Sequence, residues 1–304
     1  MRMVEIKGII PPIITPMSED ESVNEQELRN QIRRQIRSGV HGVFTGGTNG
    51  EGYILSPEEK ERILEIAVEE IDGKVPVYAG TGSISTKDTI YQSLRAKEIG
   101  ADVLSIITPF FAAASQNELY EHYKAVATAV ENMPVILYNI PARTGNYLAP
   151  ETVERLSKID NIVGIKDSSG NFDNMLQYRE RCRDQNNFAV LSGNDSLILW
   201  NLAAGGKGGV SGCANVFPDV MVSIYDRFVA GDFDGARKAQ DSIRTFRNCF
   251  RYGNPNTVVK TAVSLLGYPV GACRAPFNHI SEEGMLAIKK VLEENAGKGM
   301  CKFV

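Results

Sequence analysis

A lysine ends a short apolar segment of this sequence. Lys166 follows residues 162–165 (Ile-Val-Gly-Ile) and precedes the acidic Asp167. Burying an ammonium group is costly unless the group is paired or deprotonated, so a lysine at the end of a buried strand is unusual. Only the neutral amine attacks a carbonyl carbon, and a desolvated lysine is therefore suited to Schiff-base chemistry. The pattern predicts that Lys166 is a nucleophile.

A tyrosine holds the corresponding position on a second apolar segment. Residues 135–141 read Val-Ile-Leu-Tyr-Asn-Ile-Pro, with Tyr138 near the end. Both segments are short and rich in β-branched residues, which favours strands over helices. On neighbouring strands, Tyr138 would lie close enough to Lys166 to handle its protons. The alternatives are a lysine that reaches solvent and a tyrosine that belongs to the core.

Two other segments have the composition of anion-binding sites. Residues 46–52 hold four glycines, which let backbone N–H groups approach an anion, and Thr48 adds a hydroxyl. This loop matches neither the Walker nor the dinucleotide pattern, so we expect a carboxylate ligand; a tight turn without a ligand is the alternative. Arg143 follows the second apolar segment and could clamp another carboxylate. A solvated arginine fits the sequence equally well.

These residues follow strands in a chain where predicted strands and helices alternate. The predicted strands are 8–16, 43–45, 75–80, 103–107, 135–141, 162–167, 189–192 and 209–212. Helical patterns follow each of them, which predicts a parallel sheet covered by helices. An open doubly wound sheet and a closed (β/α)8 barrel, the TIM barrel, both fit this alternation. The count of eight strand–helix units favours the barrel, for which about 250 residues is typical.

The alternation ends after residue 231. Residues 232–249, 257–266 and 281–295 have helical patterns only. The sequence therefore predicts an α/β protein with a catalytic (β/α)8 barrel over residues 1–231 and a small helical C-terminal domain over residues 232–304. In such a barrel the carboxyl ends of all strands meet at one face, where substrates bind.

Composition and charge exclude several classes of partner. The formal net charge of −4 and a pI of about 5.6 argue against nucleic-acid binding. No apolar run approaches the roughly 18 residues that span a bilayer, so we expect no membrane partner. Five scattered cysteines without a CxxC motif predict reduced thiols in a cytoplasmic protein. Three isolated histidines predict no metal site.

Three motifs resemble the dihydrodipicolinate synthase/N-acetylneuraminate lyase family. They are Gly-Gly-Thr-Asn-Gly-Glu (46–51), Tyr-Asn-Ile-Pro-Ala-Arg-Thr-Gly (138–145) and Gly-Ile-Lys-Asp-Ser-Ser-Gly (164–170). The resemblance extends over essentially the full chain, including Cys-Arg-Ala-Pro (273–276). It implies a (β/α)8 barrel, a helical C-terminal domain and a homotetramer.

The resemblance also implies a class I aldolase mechanism. Lys166 would form a Schiff base with the keto carbon of pyruvate or a longer 2-oxo acid. Tyr138 would move protons during imine formation and at the step that makes or breaks the C–C bond with an aldehyde. The imine is itself the electron sink, so neither a metal nor an organic cofactor is expected.

The same resemblance assigns residues to substrate binding. The Thr48 hydroxyl and the backbone N–H groups of Thr48 and Asn49, next to Gly47, would hold the carboxylate of pyruvate. Val210 would contribute a backbone carbonyl near the pyruvate. Arg143 matches the arginine that, in the synthases, meets the carboxylate of the aldehyde substrate.

Two positions depart from the synthase pattern. Synthases place a second threonine where Asn49 stands and a tyrosine from the neighbouring subunit where Phe111 stands, and both hydroxyls relay protons to Tyr138. Together with Arg143, this difference predicts a 2-oxo-acid aldolase with an acidic substrate such as 4-hydroxy-2-oxoglutarate or a 2-keto-3-deoxy sugar acid. One alternative is the synthase that condenses pyruvate with aspartate semialdehyde. Another, of a different class, is a non-catalytic barrel that binds a 2-oxo acid.

Overall fold

A computed structural model describes residues 4–185 and 188–302 of the chain. Eight strands alternate with helices, and the fold is the (β/α)8 barrel that the sequence predicts rather than an open sheet. The strands are β1 (Gly8–Ile10), β2 (Val43–Thr45), β3 (Val77–Gly80), β4 (Val103–Ile107), β5 (Val135–Asn139), β6 (Ile162–Asp167), β7 (Ala189–Ser192) and β8 (Gly208–Val210).

Thirteen α-helices lie in the described ranges. They are α1 (Glu25–Arg37), α2 (Pro57–Ile71), α3 (Thr86–Ile99), α4 (Gln116–Val130), α5 (Pro141–Thr144), α6 (Pro150–Leu156), α7 (Phe172–Arg181), α8 (Ile198–Ala203), α9 (Pro218–Val229), α10 (Phe233–Ser242), α11 (Arg244–Arg247), α12 (Pro255–Leu265) and α13 (Glu282–Ala296). Short 3-10 helices cover Asp195–Leu197, Cys213–Asn215 and Asn248–Tyr252. No helix of the described residues is long and apolar enough to cross a membrane.

The chain divides into two compact units, one of residues 1–8 and 76–210, the other of residues 9–75 and 211–304. In the first unit the strands from β3 to β8 pair in parallel and in chain order. Nearly all Val, Ile and Leu side chains of these strands are buried, as expected for a parallel sheet covered by helices, and Ile107 and Val163 are half-buried. The register places Tyr138 of β5 directly beside Lys166 of β6.

Local sequence signals set the helix starts. Ser56 caps α2 by accepting the Glu59 N–H at 3.2 Å, and the Glu59 carboxylate accepts the Ser56 N–H at 2.8 Å. This reciprocal capping box satisfies two backbone donors that the first turn leaves without helical partners. Ser115 and Glu118 form the same box at the start of α4.

The first strand is shorter than the sequence predicts. β1 ends at Ile10, although the apolar pattern continues to residue 16. Pro11 and Pro12 follow, and proline has no N–H to donate to a ladder. A single parallel bridge, between Pro12 and Phe44, continues the pairing beyond this point.

The helices after Gly231 are confirmed, with one break. The segment predicted as one helix, 232–249, forms α10, α11 and a 3-10 turn. Ile243 separates α10 from α11, with ψ of −8° and a buried side chain. Because α9 packs against α10 across residue 231, the division into domains 1–231 and 232–304 remains a prediction.

Candidate active site

Lys166 and Tyr138 lie side by side in the first unit. Their side chains are hydrogen-bonded to each other, and Lys166 Nζ lies 3.6 Å from the centroid of the Tyr138 ring. Both residues are buried, with Lys166 at 4% exposure. The structure therefore brings together the two residues that the sequence singles out. Their catalytic roles remain predictions.

The surroundings of Lys166 favour its neutral form. Burial lowers the pKa of Lys166, because the ammonium loses its hydration, while Tyr138 and Asp195 act in the opposite direction. Asp195 is itself buried and begins the 3-10 helix that follows β7. Sequence reasoning missed Asp195. The sequence offered one indication of it, because Asp195 is an acidic residue directly after the glycine-containing turn that ends a predicted strand.

Gly193 leaves room for the lysine side chain. A Cβ atom placed on Gly193 would lie 3.0 Å from Lys166 Cε and 1.9 Å from Ser168 Oγ. The Gly193 N–H donates to the Asp167 carbonyl at 2.7 Å, which fixes its backbone against β6. Glycine at this position avoids a steric clash, since a side chain would crowd Ser168 and the end of the Lys166 side chain.

Asp167 points away from Lys166, because successive side chains of a strand alternate between faces. Its carboxylate accepts hydrogen bonds from Asn139 Nδ2 at 2.7 Å and Ser169 Oγ at 2.6 Å. Burial raises the pKa of Asp167, and these hydrogen bonds act against that rise. Asn139 Oδ1 in turn accepts the Leu148 N–H at 3.1 Å. This network joins the end of β6 to the segment that follows β5.

Arg143 lies on α5, the one-turn helix directly after β5, and its side chain is exposed. The turn that follows is tightly held. Thr108 Oγ1 donates to Thr144 Oγ1 at 2.9 Å, and Asn146 Nδ2 donates to the carbonyl of Pro109 at 2.8 Å. Arg143 is therefore an exposed cation on a fixed backbone, five residues after Tyr138. Val210, at the end of β8, is buried in the same unit.

The glycine-rich loop of residues 46–52 belongs to the second unit. A Cβ atom on Gly52 would lie 2.1 Å from the Gly46 carbonyl oxygen, and the Gly52 N–H donates to the Gly47 carbonyl at 3.1 Å. Such close backbone approach explains the glycines as parts of a compact turn. Thr48 and Asn49 are half-buried within it. The binding of a carboxylate by Gly47, Thr48 and Asn49 remains a prediction.

The chain has extensive similarity to known proteins. A family model described as the dihydrodipicolinate synthetase family matches residues 5–295. The 4-hydroxy-tetrahydrodipicolinate synthase of Methanopyrus kandleri is 39% identical over 293 residues, covering 95% of this chain and 96% of that protein. The synthase of Syntrophus aciditrophicus is 40% identical over 287 residues, covering 94% and 97%.

A solved structure with a bound 2-oxo acid is also similar. It is YagE of E. coli K12, a prophage protein of the dihydrodipicolinic acid synthase family in complex with pyruvate. The similarity has a TM-score of 0.92 at 30% sequence identity, and it covers 97% of this chain and 99% of that one.

The Gly193→Ala variant should form an imine with pyruvate more slowly than the wild type. The added methyl group would displace the Lys166 amine, and we expect a rate at least about 10-fold lower. The measurement is the rate at which borohydride fixes a pyruvyl adduct on Lys166, followed by mass spectrometry. Gly297→Ala is the matched control, because its Cβ would meet only ordinary contacts. An unchanged rate in the Gly193 variant would contradict the steric argument.

Imine formation should remain fast at pH values well below the ordinary lysine pKa of 10.5, because burial lowers the pKa of Lys166. The rate should fall as the pH drops through this lowered pKa, since the amine then becomes protonated and cannot attack. Asp195→Asn removes a charge that raises the pKa of Lys166, so the midpoint of the profile should move to lower pH. Adduct formation measured across pH for both proteins checks this. A midpoint near 10.5 in the wild type, or an upward shift in the variant, would refute it.

Proposed function

The chain belongs to the dihydrodipicolinate synthetase family, as its three motifs suggested, and we propose that Lys166 forms the imine with pyruvate. The protein is a lyase of the class I aldolase type, and this family uses a covalent lysine–pyruvate Schiff base without a further cofactor. Membership in a family of enzymes argues against the alternative of a barrel that only binds a 2-oxo acid.

The observation that carries the proposal is the buried Lys166 beside Tyr138. The neutral amine attacks the keto carbon of pyruvate, water leaves, and the resulting iminium withdraws electrons from the neighbouring carbon. Tyr138, hydrogen-bonded to Lys166, is in position to donate a proton to the departing hydroxyl and to recover it. Desolvation favours the neutral amine that this first step requires.

The glycine-rich loop supplies ligands for the carboxylate of pyruvate in this proposal. We assign it to the hydroxyl of Thr48 and to the backbone N–H groups at Gly47, Thr48 and Asn49. The compact turn supports this assignment, because glycines without side chains leave backbone N–H groups accessible to an anion. The Val210 carbonyl is assigned to contact with the bound pyruvate.

We assign the reaction as making or breaking the C–C bond between pyruvate and an aldehyde. The substrate of this 2-oxo-acid aldolase is an acidic one, such as 4-hydroxy-2-oxoglutarate or a 2-keto-3-deoxy sugar acid. Arg143 supports an acidic substrate, because an exposed guanidinium can bind a carboxylate through two hydrogen bonds. Asn49 and Phe111 support an aldolase over a synthase, because neither side chain supplies the hydroxyl of the synthase relay.

The second candidate is the synthase reaction with aspartate semialdehyde. The similar proteins favour this candidate, since those of Methanopyrus kandleri and Syntrophus aciditrophicus are both named 4-hydroxy-tetrahydrodipicolinate synthase. Aspartate semialdehyde also carries a carboxylate, so Arg143 suits both candidates. The relay positions are therefore the feature that distinguishes them.

A substrate panel should separate the two candidates. We expect pyruvate and borohydride to modify Lys166, and cleavage of 4-hydroxy-2-oxoglutarate to exceed condensation with aspartate semialdehyde in kcat/KM. Arg143→Ala should raise KM for the acidic substrate about 10- to 100-fold, the usual effect of losing a hydrogen bond to a charged group. Pyruvate trapping should not change in that variant.

Arg183→Ala, which removes another exposed arginine, is the matched control and should leave KM unchanged. An adduct on a different lysine would overturn the proposed mechanism. Faster condensation with aspartate semialdehyde would overturn the aldolase assignment in favour of the synthase.

We also propose that the protein is a cytoplasmic homotetramer. The five cysteines, all within the described ranges, form no disulfide there, which suits a reducing compartment. Phe111 supports a subunit contact, because its side chain is 97% exposed. Its backbone is held at a φ of +79°, in the left-handed region that non-glycine residues rarely adopt.

Analytical ultracentrifugation should give the mass of four chains at micromolar concentration. Phe111→Ser should shift the distribution toward smaller species, because the exposed apolar ring would no longer be buried on association. Wild-type sedimentation as a monomer over the whole concentration range would refute the tetramer. An unchanged distribution for the variant would remove Phe111 from the contact.

A further inference from the structure

A buried ion pair anchors the glycine-rich loop. Lys260 Nζ, on α12, lies 2.7 Å from Glu51 Oε1, and the two side chains are 1% and 0% exposed. We propose that Glu51 and Lys260 are positioning residues that set the conformation in which the loop presents Thr48 and Asn49. This inference rests on the proposed role of the loop in binding the carboxylate of pyruvate.

The Glu51 carboxylate is held from several sides. Besides Lys260, its second oxygen accepts the backbone N–H of Arg274 at 2.7 Å. Burial, followed by the charge of Glu51, raises the pKa of the nearby Cys273 thiol to about 12, so the thiol stays neutral beside this carboxylate. A carboxylate that accepts a donor on each of its two oxygens has a well-defined position.

The backbone of Glu51 is strained. Its φ of +59° lies in the left-handed region, which is unfavourable for a residue with a side chain. Such a conformation persists only where the surroundings determine it. The contacts of the carboxylate with Lys260 and with the Arg274 N–H hold Glu51 in this conformation.

The conformation of Glu51 is transmitted directly to Thr48. The Glu51 N–H donates to the Thr48 carbonyl at 3.1 Å, so the two residues close one turn. On the other side, Thr15 Oγ1 donates to the Gly50 carbonyl at 2.7 Å. Thr48 and Asn49 therefore lie within a turn that is fixed at Gly50 and at Glu51. Releasing Glu51 would free one of these two attachments.

The energetics of buried ion pairs suggest a role in geometry. Replacing such a pair with apolar or neutral groups of similar volume is often neutral for stability, whereas removing one partner leaves an uncompensated charge. A pair that only stabilised the fold could therefore be replaced without affecting the loop. A pair that positions the loop cannot be replaced without changing the loop. Effects on stability and on positioning can therefore be measured separately.

The test compares Glu51→Gln, Lys260→Met and the double variant. Lys260→Met leaves the carboxylate without its counter-ion and Glu51→Gln leaves the ammonium unpaired, so both single variants should unfold at lower denaturant concentration. The double variant should regain most of this stability. It should nevertheless require about 10- to 100-fold more pyruvate for half-maximal trapping at Lys166, because small displacements of positioning groups have effects of that size. The trapping rate at saturating pyruvate should change much less.

Val259→Ala is the matched control. Val259 is fully buried on the same helix, so its truncation loosens α12 without removing the ion pair. We expect lower stability with wild-type pyruvate dependence. Hydrogen exchange supplies a readout that does not depend on pyruvate: amides of residues 47–52 should lose protection in the double variant and keep it in the control.

The outcomes test separately the positioning role of the ion pair and the proposed imine at Lys166. Wild-type pyruvate dependence and wild-type exchange in the double variant would overturn the positioning role, as would equal losses in Val259→Ala. If the wild-type protein failed to trap pyruvate at Lys166, the proposed function would fall. The exchange data would then still decide whether the ion pair sets the loop.

Discussion

The proposed chemistry of this protein depends on keeping the amine of Lys166 out of water. An exposed lysine is almost fully protonated near neutral pH, whereas burial within the sheet lowers the pKa of Lys166. Parallel pairing contributes to this, because a parallel sheet is covered on both of its faces. The ring of Tyr138 covers the amine at 3.6 Å from its centroid, and Gly193 leaves the space that the lysine needs.

The predictable part of the site is the part built from successive strands. Tyr138 and Lys166 belong to β5 and β6, which are consecutive in the chain, and consecutive strands of a barrel are neighbours. The alternation of strand and helix patterns, together with the count of eight units, was therefore sufficient to predict both the fold class and this pair. The strand ends were less predictable, because the prolines after β1 interrupt the ladder within an apolar pattern that otherwise continues.

The interactions that the sequence did not predict are contacts between residues far apart in the chain. Glu51 and Lys260 are 209 positions apart. On its helix Lys260 resembles any solvent-facing lysine, since nothing within one turn identifies its partner. Asp195 raises the pKa of Lys166 although it follows a different strand, β7. Charges that meet only through tertiary structure leave no periodic pattern in the sequence, so only the folded chain reveals them.

The residues proposed for reaction chemistry and those proposed for substrate choice lie in different structural settings. Lys166 and Tyr138 are buried and held by strand pairing, and a change at either would disturb the sheet as well as the reaction. Arg143 is exposed on a one-turn helix whose backbone is held by Thr144 and Asn146. Its side chain can therefore be exchanged without disturbing the strands. If the proposed roles hold, a barrel built in this way can keep imine formation constant while the aldehyde that it accepts changes, because separate residues would determine the two properties.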